Sequence, residues 1–158
     1  MEARAFPQNL ITEKGAFQLY DVKMGRRQLR GHLEPNAWAA LAFLEGYRAS
    51  RIEAYRQAAL RVLAYAKAEL FDAARGAFVE DRESPLALGA NGIMADALVR
   101  AHRLTGRAED LELATRVLAA LGGAARALLA EDNDAVIVAR VADAVFYLRA
   151  YARIMEKP

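Results

Sequence analysis

The sequence contains no cysteine, which excludes disulfide bonds, thiol catalysis and zinc sites built on cysteine ligands. Glycine and proline are also scarce, at 10 and 4 of 158 residues, so few positions interrupt regular structure. Strand-forming β-branched and aromatic residues are sparse beside alanine and leucine, which favour helix. These shortages predict a single, mostly helical domain, and with 55% hydrophobic residues the chain can bury a sizeable core.

The sequence has neither a strong charge excess nor a long apolar run. Its 22 basic and 20 acidic residues leave a net charge of +2, spread along the chain, so we expect no nucleic-acid partner. No apolar run approaches the roughly 20 residues that span a bilayer. The first ten residues, MEARAFPQNL, lack the apolar core of a signal peptide. We therefore expect a cytoplasmic protein with no membrane partner.

Two stretches repeat each other at a spacing of 55 residues, Asn36–Tyr65 and Asn91–Leu121. Both begin with asparagine, and Arg61–Ala64 matches Arg116–Ala119 letter for letter, with a one-residue slip expected in between. Each copy reads as an inner helix that is apolar nearly all round, a tight turn, and an amphipathic outer helix running back. Repetition of this kind predicts an all-α fold of stacked antiparallel helical hairpins, either an open solenoid or a closed toroid.

Other signals complete the layout. Phe17–Val22 alternates apolar and polar residues like a strand, Gly122-Gly123 is expected to end the second outer helix, and apolar residues recur at a spacing of three to four towards the C-terminus. The predicted domain, 1–158, consists of an arm at 1–16, a small β-hairpin at 17–31, helical hairpins at 35–71 and 90–121, and a C-terminal helix at 134–155. The apolar stripe of this last helix consists of Ile137, Val141, Ala144, Val145, Leu148, Tyr151, Ala152 and Met155.

Four short motifs follow one another in an order typical of a known family. They are Arg30–Glu34 (RGHLE), Arg75–Phe78 (RGAF), Gly89–Asn91 (GAN) and Leu104–Gly106 (LTG). Their order resembles the C-terminal, six-hairpin part of the thioredoxin-domain-containing proteins of the spermatogenesis-associated type. Those modules are similar to the (α/α)6 barrels of the N-acylglucosamine 2-epimerase and six-hairpin glycosidase group. Because this chain has about half the helices of such a barrel, the resemblance implies half of an (α/α)6 toroid.

The sequence departs from that family in ways that bear on function. It has no thioredoxin domain, and without cysteine no redox role carries over. Pro35-Asn36 stands where the family tends to have an acidic-aromatic pair, and no motif around His32 or His102 matches the catalytic histidines of the sugar epimerases. We therefore assign no catalytic residue, and we expect no cofactor and no metal site.

A ligand site is nevertheless conceivable where the loops at one end of the inner helices line a toroid's cavity. A tryptophan there would stack on the apolar face of a sugar, while a carboxylate and amides would bond its hydroxyl groups. The candidate ligand-binding residues are His32, Glu34, Asn36, Trp38 and Asn91. The alternative interpretation is structural: the two asparagines are helix N-caps and the tryptophan belongs to the core. Asp96, four residues before Arg100 and seven before Arg103, is expected to form an ion pair with them.

Two functional hypotheses follow from these observations. In the first, the chain is a non-catalytic helical-hairpin module that binds a partner protein or a second copy of itself, and two copies close a six-hairpin ring. In the second, it is a carbohydrate-active protein, epimerase-like or glycosidase-like, with a sugar bound at the inner-helix ends. The sequence alone does not decide whether the protein is an enzyme.

Overall fold

The computed structural model describes residues 11–12, 15–21, 26–80, 85–130 and 134–156. Five helices account for most of this part of the chain, which agrees with the predicted all-α class. The helices are α1 (Leu33–Ser50), α2 (Glu53–Tyr65), α3 (Leu88–Thr105), α4 (Ala108–Ala130) and α5 (Asp134–Met155). A π-helical turn, Ala66–Leu70, continues α2. None of the described helices is both long and apolar enough to cross a bilayer.

The two helical hairpins repeat without any slip. Helix α1 begins at Leu33 and α3 at Leu88, 55 residues apart, and both helices contain 18 residues. The outer helices begin at Glu53 and Ala108, which keeps the same offset. The expected one-residue slip is therefore wrong, because both hairpins use a two-residue connection whose first residue is left-handed. Such a residue ends a helix by pairing its N–H with a carbonyl of the last turn, as Arg51 and Gly106 do here.

Short strands precede each inner helix. Strands β2 (Gly15–Asp21) and β3 (Arg26–Arg30) form the predicted antiparallel hairpin, and β1 (Ile11–Thr12) adds to its edge. In the second copy, the described strands are β4 (Phe71–Asp72) and β5 (Ala77–Phe78), which pair with each other. The interval 1–16, predicted as an arm, thus contributes strand residues at its end, and the rest of that interval lies outside the described residues.

The second outer helix is longer than expected. Gly122-Gly123 does not end it, because α4 continues to Ala130. Two glycines inside a helix cost roughly 1 kcal/mol each relative to alanine. Burial of Leu121 and Ala125 on either side of the pair offsets that cost. The tertiary structure thus overrides a local helix-stop signal.

Helix α3 is the centre of the molecule. Every residue from Leu88 to Val99 is buried, because α3 packs against α1, α4 and α5. Gly92 makes the closest approach: a Cβ atom there would lie 2.7 Å from the backbone nitrogen of Tyr147. At the other end of α3, Arg103 contacts Glu156. Helices α3 and α5 therefore run parallel, and their backbones approach each other closely at Gly92.

Candidate functional site

The amide of Asn36 fastens a strand to the first inner helix. Its side chain is fully buried, and its Oδ1 accepts a hydrogen bond from the backbone N–H of Ala16 at 2.8 Å. Its Nδ2 donates to the carbonyl of His32 at 2.7 Å. The N-cap position itself belongs to His32, whose side chain makes no capping bond. The predicted N-cap role of Asn36 is therefore wrong, because the helix begins earlier, at Leu33.

Asn91 joins a strand to the inner helix of the second repeat in the same way. Its Oδ1 accepts from the N–H of Phe78 at 2.8 Å, and its Nδ2 donates to the carbonyls of Phe78 at 2.9 Å and Ala87 at 3.0 Å. Ala87 holds the N-cap position, so the N-cap prediction is wrong here too. These bonds use both amide donors and the amide oxygen. Both asparagines thus join the preceding strand to the inner helix.

The other three candidate residues lie on the surface near the same helix end. His32 Nδ1 is 3.5 Å from Glu80 Oε2, and the other oxygen of Glu80 accepts from the N–H of Leu33 at 3.0 Å. Trp38 is 42% exposed rather than a core residue, and its indole nitrogen donates to Glu34 at 3.4 Å. The structure therefore forms two exposed pairs, His32 with Glu80 and Trp38 with Glu34, whereas both asparagines are buried.

Sequence reasoning missed Glu80. It follows β5 in a loop, far along the chain from His32, and no periodic pattern links the two positions. Among the residues that the structure describes, no group of three or more histidine or acidic side chains is arranged to hold a metal ion.

Asp96 forms the predicted ion pair with Arg100 and two more that were not predicted. Its carboxylate is buried, and it accepts hydrogen bonds from Arg100 Nε at 3.1 Å and Nη2 at 3.3 Å. From α5, Arg149 Nε lies 3.3 Å from the same carboxylate, and Arg153 also contacts it. Burial raises the pKa of the Asp96 carboxyl, and the nearby arginine charges oppose that rise. The cluster links α3 to α5.

Part of the predicted apolar stripe of α5 faces solvent, whereas Ala144 is buried and the side chains of Ile137 and Val141 lie outside the described residues. Four large side chains on one side of this helix remain 47–64% exposed: Val145, Leu148, Tyr151 and Met155. The opposite side contains the buried Ala150 and packs on α3 and α4. A groove of about 580 Å³ between α4 and α5 continues this apolar surface, lined by Leu118, Gly122, Tyr147 and Ile154 among others. Exposed apolar area on this scale marks an association site more often than a neutral surface.

Comparison with known proteins adds no assignment. No family model matches the sequence, and no curated protein or solved structure matches it. The resemblance to six-hairpin toroids therefore remains a prediction.

Proposed function

We propose that this chain is a helical-hairpin module that functions by binding a second copy of itself through the outer face of α5. The supporting observation is the stripe formed by Val145, Leu148, Tyr151 and Met155, whose side chains are each about half exposed. Among the described elements, only α3 and α4 pack extensively on α5. Leu148, Tyr151 and Met155 line the open groove beside α4. A second α5 would remove the stripe from water.

The spacing of the stripe fits a copy of itself. Two α5 helices packed antiparallel about a two-fold axis bring Leu148 opposite Tyr151 of the second copy, and Val145 opposite its Met155. The same two contacts then occur again by symmetry, as an isologous interface requires. Tyrosine and methionine supply the large, adaptable contact area that interfaces favour.

The expected affinity is moderate. Burying a large apolar side chain completely contributes about 1.5–3 kcal/mol, so a half-exposed one contributes roughly 1 kcal/mol. Eight such side chains in a dimer contribute roughly 8 kcal/mol of favourable free energy. The loss of translational and rotational freedom on association offsets a large part of it. We therefore expect a dimer that dissociates on dilution.

Pairing through α5 is favoured over closure of a six-hairpin ring. A ring would pair the α5 end of one copy with the α1 end of the other, and would need an apolar edge on both. Of the large apolar side chains that the structure describes as exposed, only Trp38 lies on α1, and its ring already contacts Phe146 of α5 edge-on at 5.2 Å. The exposed apolar area is concentrated on α5.

The absence of cysteine makes the test direct. Leu148→Cys should form a disulfide-linked dimer under mild oxidation, because the residue lies beside the proposed two-fold axis. Ala64→Cys, exposed on α2, is the matched control and should form no disulfide-linked dimer. Light scattering behind size exclusion should then find a concentration-dependent dimer that Leu148→Glu abolishes and Ala64→Glu preserves. A monomer at all concentrations, or a dimer that Leu148→Glu leaves intact, would refute the proposal.

Sugar binding at the inner-helix ends is the second candidate. The exposure of Trp38 beside Glu34 favours it, since an accessible indole next to a carboxylate is what stacking on a sugar ring requires. A panel of mono- and disaccharides should raise the unfolding temperature of the native chain, and Trp38→Ala and Glu34→Gln should abolish the shift. If no sugar shifts the unfolding temperature, this candidate fails.

A further inference from the structure

The C-terminal ends of α1, α3 and α5 surround a pocket of about 240 Å³. Two leucines form part of its wall, and the rest of its lining is charged. We call it the arginine pocket; its charged lining residues are Glu45, Arg48, Arg51, Arg100, Arg103 and Arg153. Arg48 and Arg103 occupy the same position in the two repeats, 55 residues apart, so the repeat itself places two cations at the pocket.

Among the residues that the structure describes, the carboxylates around the pocket do not balance its arginines. Glu45 pairs with Arg48 at 2.8 Å and also with Arg100. Glu156 pairs with Arg103 at 3.2 Å. Asp96 is shared among three arginines, as described above. Three carboxylates thus pair with five arginines, and Arg51 adds a sixth guanidinium group, so the described residues leave positive charge at the pocket.

Part of that positive charge is held away from water. The side chain of Arg100 is only 13% exposed. Burial, together with the charges of Arg153, Arg149 and Arg103, lowers the pKa of Arg100 to about 10. The buried Nε of Arg153 contacts the Asp96 carboxylate. A bound anion would relieve the repulsion among the arginines.

Arg51 occupies an unfavourable backbone conformation at this pocket. It has φ 57° and ψ 18°, and it is the only described residue other than glycine with a positive φ. Its counterpart in the second repeat is Gly106, for which this conformation is free of steric cost. Arginines in the last turn of a helix balance the helix dipole, which accounts for Arg48 and Arg103. The helix dipole does not account for Arg51, because the second repeat has a glycine, Gly106, at this position.

We propose that the arginine pocket binds a compact phosphate-bearing anion. The planar guanidinium group matches phosphate oxygens with two parallel hydrogen bonds, and several such groups converge here from two or more helices. The volume suits a small molecule with one or two phosphate groups. The site is independent of the α5 stripe, so it stands whether or not the chain dimerises.

The test is a calorimetric titration of the purified full chain with pyrophosphate, with inorganic phosphate as a second probe and sodium chloride at matched ionic strength as reference. Pyrophosphate should bind to one site per chain. Arg103→Gln should weaken this binding at least tenfold, because it removes a cation that lines the pocket. Arg61→Gln, which removes an exposed arginine of α2 away from the pocket, is the matched control and should change the affinity less than twofold.

Arg51→Gly separates binding from folding. Glycine relieves the left-handed strain, so this variant should unfold at a higher temperature than the native chain while binding pyrophosphate more weakly. Two results would overturn the proposal. One is pyrophosphate binding no stronger than the chloride reference. The other is an equal loss of affinity in Arg61→Gln and Arg103→Gln, which would indicate attraction to the overall charge rather than a site.

Discussion

Replacing Gly92 by alanine tests the packing of α3 against α5 with a single methyl group. A Cβ atom at Gly92 would lie 2.7 Å from the backbone nitrogen of Tyr147 and 2.8 Å from the carbonyl carbon of Phe146. Both are backbone atoms, so no side chain can rotate out of the way. Helix α5 would have to move by roughly 1 Å to reach ordinary van der Waals distance.

Gly123 provides a control with the same chemical change. It also lies inside a helix, α4, but no described atom lies within 4 Å of a Cβ built there. Alanine at an exposed helical position stabilises by roughly 0.5–1 kcal/mol relative to glycine. Gly92→Ala gains the same propensity term, but overpacking typically costs about 1–3 kcal/mol, and a clash with backbone lies towards the upper end. The two substitutions should therefore have opposite signs.

The assay is urea and thermal unfolding followed by circular dichroism at 222 nm, with all variants at one protein concentration because self-association shifts apparent stability. For a domain of this size, 1 kcal/mol corresponds to roughly 2–4 °C in Tm. Gly92→Ala should lower the unfolding free energy by about 1–2 kcal/mol, and Gly123→Ala should raise it by about 0.5–1 kcal/mol. A Gly92→Ala variant at least as stable as the native chain would refute the close approach of α5 to α3.

Three further predictions concern the hairpin ends. Asn91→Ala leaves the buried N–H and carbonyl of Phe78 without partners, so it should lower the free energy of unfolding in urea by about 2–4 kcal/mol and speed hydrogen exchange at Phe78. Native-like exchange at Phe78 would contradict the role of the Asn91 hydrogen bonds. Asn36→Ala removes the acceptor of the Ala16 N–H and should lower the free energy of unfolding by about 1–3 kcal/mol. An unchanged urea midpoint would contradict a stabilising role for this hydrogen bond. Gly106→Ala places a Cβ at φ 75° in open space, so it should cost about 1 kcal/mol through backbone strain alone; no loss in thermal unfolding would contradict this.

Much of the helical layout is predictable because its causes are local. Apolar periodicity sets the faces of the helices, and a glycine such as Gly106 ends a helix through its own backbone freedom. The spacing of 55 residues is visible in the letters and is kept by the helix starts. The ion pair of Asp96 with Arg100 is also local, since four residues bring both side chains to one face of α3.

Features that join distant parts of the chain are not predictable in this way. The asparagines resemble N-caps in sequence, and only the folded chain brings Ala16 to Asn36 and Phe78 to Asn91. Likewise, the apolar spacing of α5 predicts an amphipathic helix but not that the stripe with Leu148 would face solvent.

The sequence by itself determined where helices form and how the hairpins repeat, because hydrogen bonds within a helix and side-chain spacing depend on neighbours within one or two turns. The tertiary structure decided which faces meet. Gly92 permits α5 to approach α3, and that approach brings Arg149 and Arg153 to Asp96. Because Leu121 and Ala125 are buried on either side of Gly122-Gly123, α4 continues beyond this glycine pair to Ala130. The same packing leaves one apolar face of α5 uncovered by any described element and gathers five arginines around one pocket.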